Sequence, residues 1–282
     1  MAEETLAAAG GQTILYPEEA SREMIDAGVF YGRNKSKTNP KMKGYVLTNR
    51  GGVEIINLAK TSGALDRAAG FLKEKVKGGG LVLLVGTQPA AEEGILRLAN
   101  KFGLPYVTTR WAGGIITNFK VVSKRIEYFK KLRSDLASGV LADKYTKKER
   151  LMLEKELKRL LELFGGLENL TREPDGLIII DPNLHATAVR EANRAKIPVI
   201  ALANVDANPD IIDYLIPGND KSRQSINWFL EKMESAIGEA LASRAAARLE
   251  AEKTAVEAAA KTNEVKTVEA AAKTNEVKAS EN

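Results

Sequence analysis

Asp181 and His185 stand four residues apart just after the apolar run Leu177–Ile180, a spacing at which a carboxylate could orient an imidazole for proton transfer. Thr87 and Arg110 follow two other apolar runs, Leu81–Val85 and Pro105–Thr108, while Lys60 and Asp206 follow Val53–Leu58 and Val199–Leu202. If these runs are parallel strands, all six side chains gather at the carboxyl ends of a sheet, where such folds bind ligands. They can be drawn as a phosphate clamp with an acid–base pair, the site of an enzyme or sensor for a phosphorylated metabolite. The fingerprints that would make that reading specific are missing: the chain contains no GxGxxG and no GxxxxGK[ST], and Gly78–Gly80 precedes its strand. His185 is the only histidine and cysteine is absent, which excludes two-imidazole and thiolate metal sites. More simply, His185 is a surface or capping residue on the first turn of a helix over Leu184–Ala195, and Asp206, Asp210 and Asp213 belong to a turn and helix start rather than a magnesium site.

A second constellation is electrostatic. From Arg33 to Arg50 the chain carries Arg33, Lys35, Lys37, Lys41, Lys43 and Arg50 and no acid. Mutual repulsion among these cations disfavours compact packing unless anions lie nearby. Asn34, Ser36, Thr38 and Asn39 add neutral donors for phosphate and sugar oxygens, Tyr31 and Tyr45 offer rings for bases, and Pro40 and Gly44 shape an extended path. The overall charge is +5, but Met1–Asp26 holds six acids against one Arg and residues 251–282 hold six Glu against five Lys, which leaves the middle of the chain at +11. A basic body with acidic or near-neutral ends implies a polyanion, nucleic acid before membrane, since no basic amphipathic anchor is present.

The elements that must position these residues follow from periodicity. The five apolar runs alternate with segments of helical period, Gly63–Val76, Ala90–Phe102 and Leu184–Ala195, the pattern of a doubly wound α/β domain with a parallel sheet covered on both faces. Trp111 to Asp175 is too long for a crossover. Within it Phe119, Val122, Ile126, Phe129, Leu132 and Leu136, and then Leu153, Leu157, Leu160 and Phe164, recur at three- and four-residue steps. That predicts an inserted antiparallel coiled-coil hairpin. Asn118–Phe164 carries thirteen Lys or Arg against seven acids, so the hairpin is basic too, with Lys120 and Lys124 near its base. A last helix from about Ser222 carries Ile226, Phe229, Leu230, Met233, Ile237 and Leu241. Beyond it VEAAAKTNEVK occurs at Val256–Lys266 and again at Val268–Lys278, a composition expected to be disordered or transiently helical. The resulting division is an acidic extension over 1–26, an α/β domain over 27–115 and 170–250 with the basic segment 31–52, a hairpin over 116–169 and a repetitive tail over 251–282. No apolar run approaches the length of a membrane span, and MAEETLAAAGG lacks the features of a signal peptide, so the expected place is the cytoplasm.

On particular motifs the chain resembles the bacterial small-subunit ribosomal protein S-two family. The matching stretches are MIDAGVFYGR and NPKM within Met24–Met42, GVEIINLAKT at Gly52–Thr61, LLVGTQPAA at Leu83–Ala91 and TTRWAGGIITNF at Thr108–Phe119. They continue with TKKERLMLEKEL at Thr146–Leu157, the long stretch Pro174–Asp210 and IDYLIPGND at Ile212–Asp220. The resemblance covers about residues 20–245, and RWAGGIITN and IPGND are its most specific parts.

The resemblance implies a flavodoxin-like domain with a coiled-coil hairpin, bound to small-subunit ribosomal RNA on the solvent side between head and body, ribosome-associated and without catalysis or cofactor. It also implies neighbouring small-subunit proteins as partners, among them the large multi-OB-fold ribosomal protein. Carried over position by position, Arg33, Lys35, Lys37, Lys41 and Lys43 fall in the family's basic amino-terminal segment. Arg110, Trp111, Gly113, Gly114, Thr117 and Asn118 fall in its RWxGGxxTN turn, and Asn219, Asp220 and Arg223 follow the last strand. The cations Arg33, Lys35, Lys37, Lys41, Lys43, Arg50, Arg110, Lys120, Lys124 and Arg223 are the expected RNA contacts. Gly113–Gly114 is expected to give the exit from strand to hairpin, with Trp111 packed at the hairpin base. The family's HFGH is here FYGR at Phe30–Arg33, and Thr38 stands where tryptophan often precedes NPKM. No imidazole is available there for a metal, and Arg33 adds a permanent charge consistent with a phosphate contact.

Overall fold

The computed structural model describes residues 18–138, 145–248 and 250; the repetitive tail and residues 1–17 of the acidic extension lie outside them. The first described element is helix α1 (Glu18–Asp26), whose Met24 is fully buried in the core. The basic segment follows as β1 (Tyr31–Asn34), two short 3-10 turns (Lys35–Lys37 and Pro40–Tyr45) and β2 (Val46–Arg50). It is more regular than the extended path expected of it, because Asn39 accepts the Lys41 amide at 3.0 Å to start the second turn and β3 (Val53–Ile56) lies between the two strands.

The run at Val53 does not join the parallel sheet as expected. It is the centre of a separate antiparallel sheet of order β1-β3-β2. Its burial shows the reason: Glu54 and Ile56 are covered and Val53 and Ile55 are not fully so, the alternation of a strand with one face on a core rather than the continuous burial of a central parallel strand.

The main sheet contains β4 (Val82–Val85), β5 (Tyr106–Val107), β6 (Gly176–Ile180), β7 (Val199–Ala203) and β8 (Tyr214–Pro217), all parallel, in the order β5-β4-β6-β7-β8. Counted among themselves the five run 2-1-3-4-5, the flavodoxin-like order, whose topological switch point lies between β4 and β6. Strand β8 is not among the five apolar runs, since four residues ending in proline carry little signal.

Helices cover both faces. On one side α2 (Leu58–Lys77), α3 (Pro89–Phe102), α1 and the final helix over 223–248 bury Leu65, Leu72, Ile95, Leu98, Phe229 and Met233 against Leu84, Ile178 and Leu202. Asn57 caps α2 by accepting the Ala59 amide at 3.0 Å, and α3 begins on Pro89 and ends at Gly103 with φ of +65°. On the other side α4 (Phe119–Ala137), α5 (Lys147–Phe164) and α6 (Ala186–Ala195) pack over Leu83, Val85, Leu177 and Ile179. The hairpin of α4 and α5 closes along Val122, Ile126, Phe129 and Leu132 against Leu160 and Phe164, with Leu136, Leu153 and Leu157 half-buried. A reciprocal cap starts α5: Glu149 Oε2 accepts the Thr146 amide at 2.9 Å, and the Thr146 hydroxyl accepts the Glu149 amide at 3.5 Å.

Candidate nucleic-acid interface

The carboxyl ends of β4 and β6 form the crevice where a fold of this order binds its ligand. Here the protein's own side chains occupy it. Asp181, with φ of +61°, accepts the amides of Asn183 and Leu184 on Oδ1, each at 3.1 Å. Its Oδ2 accepts Gln88 Nε2 at 3.0 Å and Lys221 Nζ at 2.8 Å. His185 is not at the surface. It is buried, and its Nε2 accepts the backbone amide of Thr87 at 3.2 Å. Burial lowers its pKa to about 4, with Asp181 pulling upward and Lys221 downward. A neutral imidazole already engaged by a backbone amide is no general base at neutral pH, and the acid–base pair drawn from the sequence does not form.

Arg33 completes this interior network. Its Nη2 lies 3.0 Å from both carboxylate oxygens of Asp220, and its Nε lies 3.2 Å from Asp206. Asn204 Nδ2 donates to Asp220 at 3.3 Å. Asp220 is buried, which raises its pKa to about 6; the charge of Asp181 pushes the same way, and Arg33, Asn204 and Lys221 oppose it. The expectation that Arg33 meets phosphate is therefore corrected. Moving its guanidinium to an external anion would strip a buried carboxylate of its counterion, which is costly.

Asp206, Asp210 and Asp213 do not gather either. The first faces Arg33, Asp210 faces Lys41, and Asp213 accepts the Val199 amide at 2.9 Å. Among the described residues no three His, Asp or Glu side chains cluster as metal ligands.

The other expected cations sit differently. Lys35, Lys37, Lys43, Arg50, Arg110, Lys120 and Lys124 are exposed, and within the described residues their side chains have no ion-pair or hydrogen-bond partner. Lys41 and Arg223 do pair, with Asp210 and with Glu93, the latter at 3.2 Å, but both pairs are solvent-exposed, where such pairing contributes little and exchanges readily with another anion.

The RWAGGIITN turn is built around a residue that the sequence pattern did not single out. Glu191, on α6, is buried and accepts Trp111 Nε1 at 3.1 Å and the amides of Gly114, Ile116 and Thr117 at 2.8, 3.2 and 3.3 Å. Burial alone would raise its pKa, but these hydrogen bonds together outweigh it and leave the carboxyl below its ordinary value. Gly114, at φ of +90°, makes the bend that turns these amides onto the carboxylate; Gly113 has open space and ordinary φ, so the exit depends on Gly114 alone. The available signal was an acid on the covered face of a helix, in line with Ala188, Val189 and Ala192.

Residues 24–240 match the family model described as "Ribosomal protein S2". The chain is 41% identical over 228 residues to small ribosomal subunit protein uS2 of Arthrobacter sp. (strain FB24), covering 81% of this chain and 78% of that one. It is 39% identical over 219 residues to the uS2 of Deinococcus radiodurans, covering 78% and 83%, and 40% identical over 211 residues to that of Thermus thermophilus, covering 75% and 82%. With a flavodoxin-like core, a crevice filled by its own side chains and, outside it, exposed cations that are unpaired among the described residues, the chain belongs to the ribosomal protein S2 family, non-catalytic structural constituents of the small ribosomal subunit that serve translation.

Proposed function

We propose that this chain binds small-subunit ribosomal RNA by neutralising backbone phosphates with Lys35, Lys37, Lys41 and Lys43 of the two 3-10 turns, with Arg50 at the end of β2, and with Arg110, Lys120 and Lys124 near the hairpin base. One observation carries the reading. Asp181, Glu191 and Asp220 in the interior have partners, while these cations are exposed and all but Lys41 are without counterions among the described residues. A protein holds such charge apart from its own acids when an external polyanion supplies the countercharge.

The test is the salt dependence of binding to small-subunit RNA. Replacing Lys35, Lys37, Lys41 and Lys43 by Ala should reduce the slope of log K against log salt by about 3, at roughly 0.7–0.9 for each phosphate no longer neutralised. An unchanged slope sinks the proposal.

Protein contacts belong to the hairpin in the same reading. Tyr128, Tyr145, Leu151 and Met152 stand 40–61% exposed there, large apolar side chains of the kind that protein interfaces cover. They suit a neighbouring small-subunit protein such as the multi-OB-fold one. Changing Tyr128 and Met152 to Ser should weaken copurification with that protein and leave RNA binding intact; unchanged copurification removes the hairpin from the docking surface.

A further inference from the structure

Between the basic segment and α2, two adjoining hollows form one groove. The first, of about 530 Å³, is lined by Gly44, Tyr45, Lys60, Gly63 and Arg67 and contains two cations and no acid. The second, of about 490 Å³, shares Tyr45 and Arg67 and continues among Pro198, Pro209, Ile212, Tyr214 and Leu215, with Asp213, which accepts the Val199 amide, also on its wall. Tyr45 and Arg67 thus form a waist between a cationic compartment and a mixed one with proline and aliphatic walls. Lys60, Gly63 and Arg67 lie three and four residues apart and so share one face of α2. Lys60 Nζ donates to the Gly44 carbonyl and stands 5.8 Å from the centre of the Tyr45 ring. That anchors the ammonium and leaves donors over. Arg67 is exposed and without an ion pair among the described residues. Gly63 is helical, and a Cβ there would meet only Arg67 Nη1, at 3.8 Å. A side chain placed there would therefore project into the compartment without a backbone clash.

A cationic compartment joined through an aromatic ring to one with proline and aliphatic walls and polar groups between them has the chemistry of a single nucleotide: phosphate on the cations, the face of the base on the apolar walls and its edge near the polar groups. We infer that this groove takes one unstacked nucleotide of a single-stranded RNA segment, its phosphate between Lys60 and Arg67 and its base beside Tyr45 among Pro198, Pro209 and Ile212. The inference rests on the RNA-binding reading above and adds to it a preference for unpaired strand, which backbone neutralisation alone does not create.

The experiment uses the full chain and three probes at one salt concentration: an oligouridylate of about ten nucleotides, a paired RNA of equal charge, and uridine 5′-monophosphate, the first two followed by fluorescence anisotropy and the third as a competitor. Gly63→Leu, which fills the groove from a helical position that tolerates a side chain, should weaken single-strand binding about tenfold, the worth of one base against an aromatic ring. Duplex binding should stay within about twofold, the scatter of a surface change. Arg67→Gln should show the same selectivity, so the result does not hang on one variant's folding. Unchanged single-strand binding in both variants overturns the groove; if the alanine substitutions at Lys35, Lys37, Lys41 and Lys43 still weaken both RNAs, the wider reading survives that loss. A wild-type chain that binds neither RNA overturns both. Displacement of the oligonucleotide by the monophosphate at equal concentration assigns the groove to a free nucleotide and overturns the inference.

Discussion

Two arginines of the amino-terminal sheet, Arg33 and Arg50, look alike in sequence, yet one points inward to Asp220 and Asp206 while the other stands exposed without a partner among the described residues. The same contrast separates the two regions they belong to. At the carboxyl ends of the parallel strands, Arg33 and the exposed Lys221 are matched to the buried Asp181 and Asp220 and the half-buried Asp206. Along the antiparallel sheet and hairpin base the cations face solvent. Charge by itself therefore does not identify a polyanion contact. The proposed contact rests on charge that the fold leaves uncompensated among the described residues, whereas the crevice is closed by its own ion pairs.

The largest effect that could break this comparison is at Arg33. Arg33→Ala takes the guanidinium away from the buried Asp220 and the half-buried Asp206 and should cost about 3–5 kcal/mol of stability in urea unfolding, with no change in the salt slope of RNA binding. If the slope falls instead, Arg33 belongs with the external cations. The alanine substitutions at Lys35, Lys37, Lys41 and Lys43 are the mirror case, lowering affinity while stability stays within about 0.5 kcal/mol.

Glu191→Ala should come next, at about 2–3 kcal/mol, because it orphans the Trp111 indole and three backbone amides in the interior. Near-ultraviolet circular dichroism would register the loosened Trp111; an unchanged spectrum and melting point would reduce Glu191 to a spectator.

The smallest effect is one of pH. The folded-state pKa of His185 is lowered to about 4 from an ordinary 6.5, so the unfolded chain takes up a proton first and stability falls as pH drops through that window. Asp220, raised to about 6, has the opposite sign: the native state takes up its proton first, and stability rises as pH falls from 6 toward 4. The two oppose each other, and the wild-type profile between pH 6 and 4.5 should be shallow. His185→Gln keeps an acceptor for the Thr87 amide and removes the imidazole; its stability should rise by about 1–2 kcal/mol from pH 6.5 to pH 4.5. A flat profile in the variant would mean that Asp220 is not the opposing group.

Much of the architecture was legible because burial leaves a periodic trace. Leu177–Ile180 and Val199–Leu202 read as central strands, and Val122, Ile126 and Phe129 read as one seam, since in each case the solvent-averse face recurs with the period of its own backbone. The Val53 strand was harder. Apolar alternation reports that a face is covered, not which sheet covers it, and its partners β1 and β2 lie in a stretch whose composition reads as loop. At the site, the lysines expected to meet RNA lie exposed. Glu191, Lys221 and Gln88 were missed because their significance comes from partners 40 to 93 residues away in the chain.

On its own, then, the order of residues determined the alternation of strand and helix, the inserted hairpin, the clustering of positive charge and, through RWAGGIITN and IPGND, the family. Only the tertiary structure decided which cations are free. Pairing depends on distance in space and on burial, and Arg33 meets Asp220 across 187 residues of chain, a separation at which no local pattern can report that two opposite charges have already found each other.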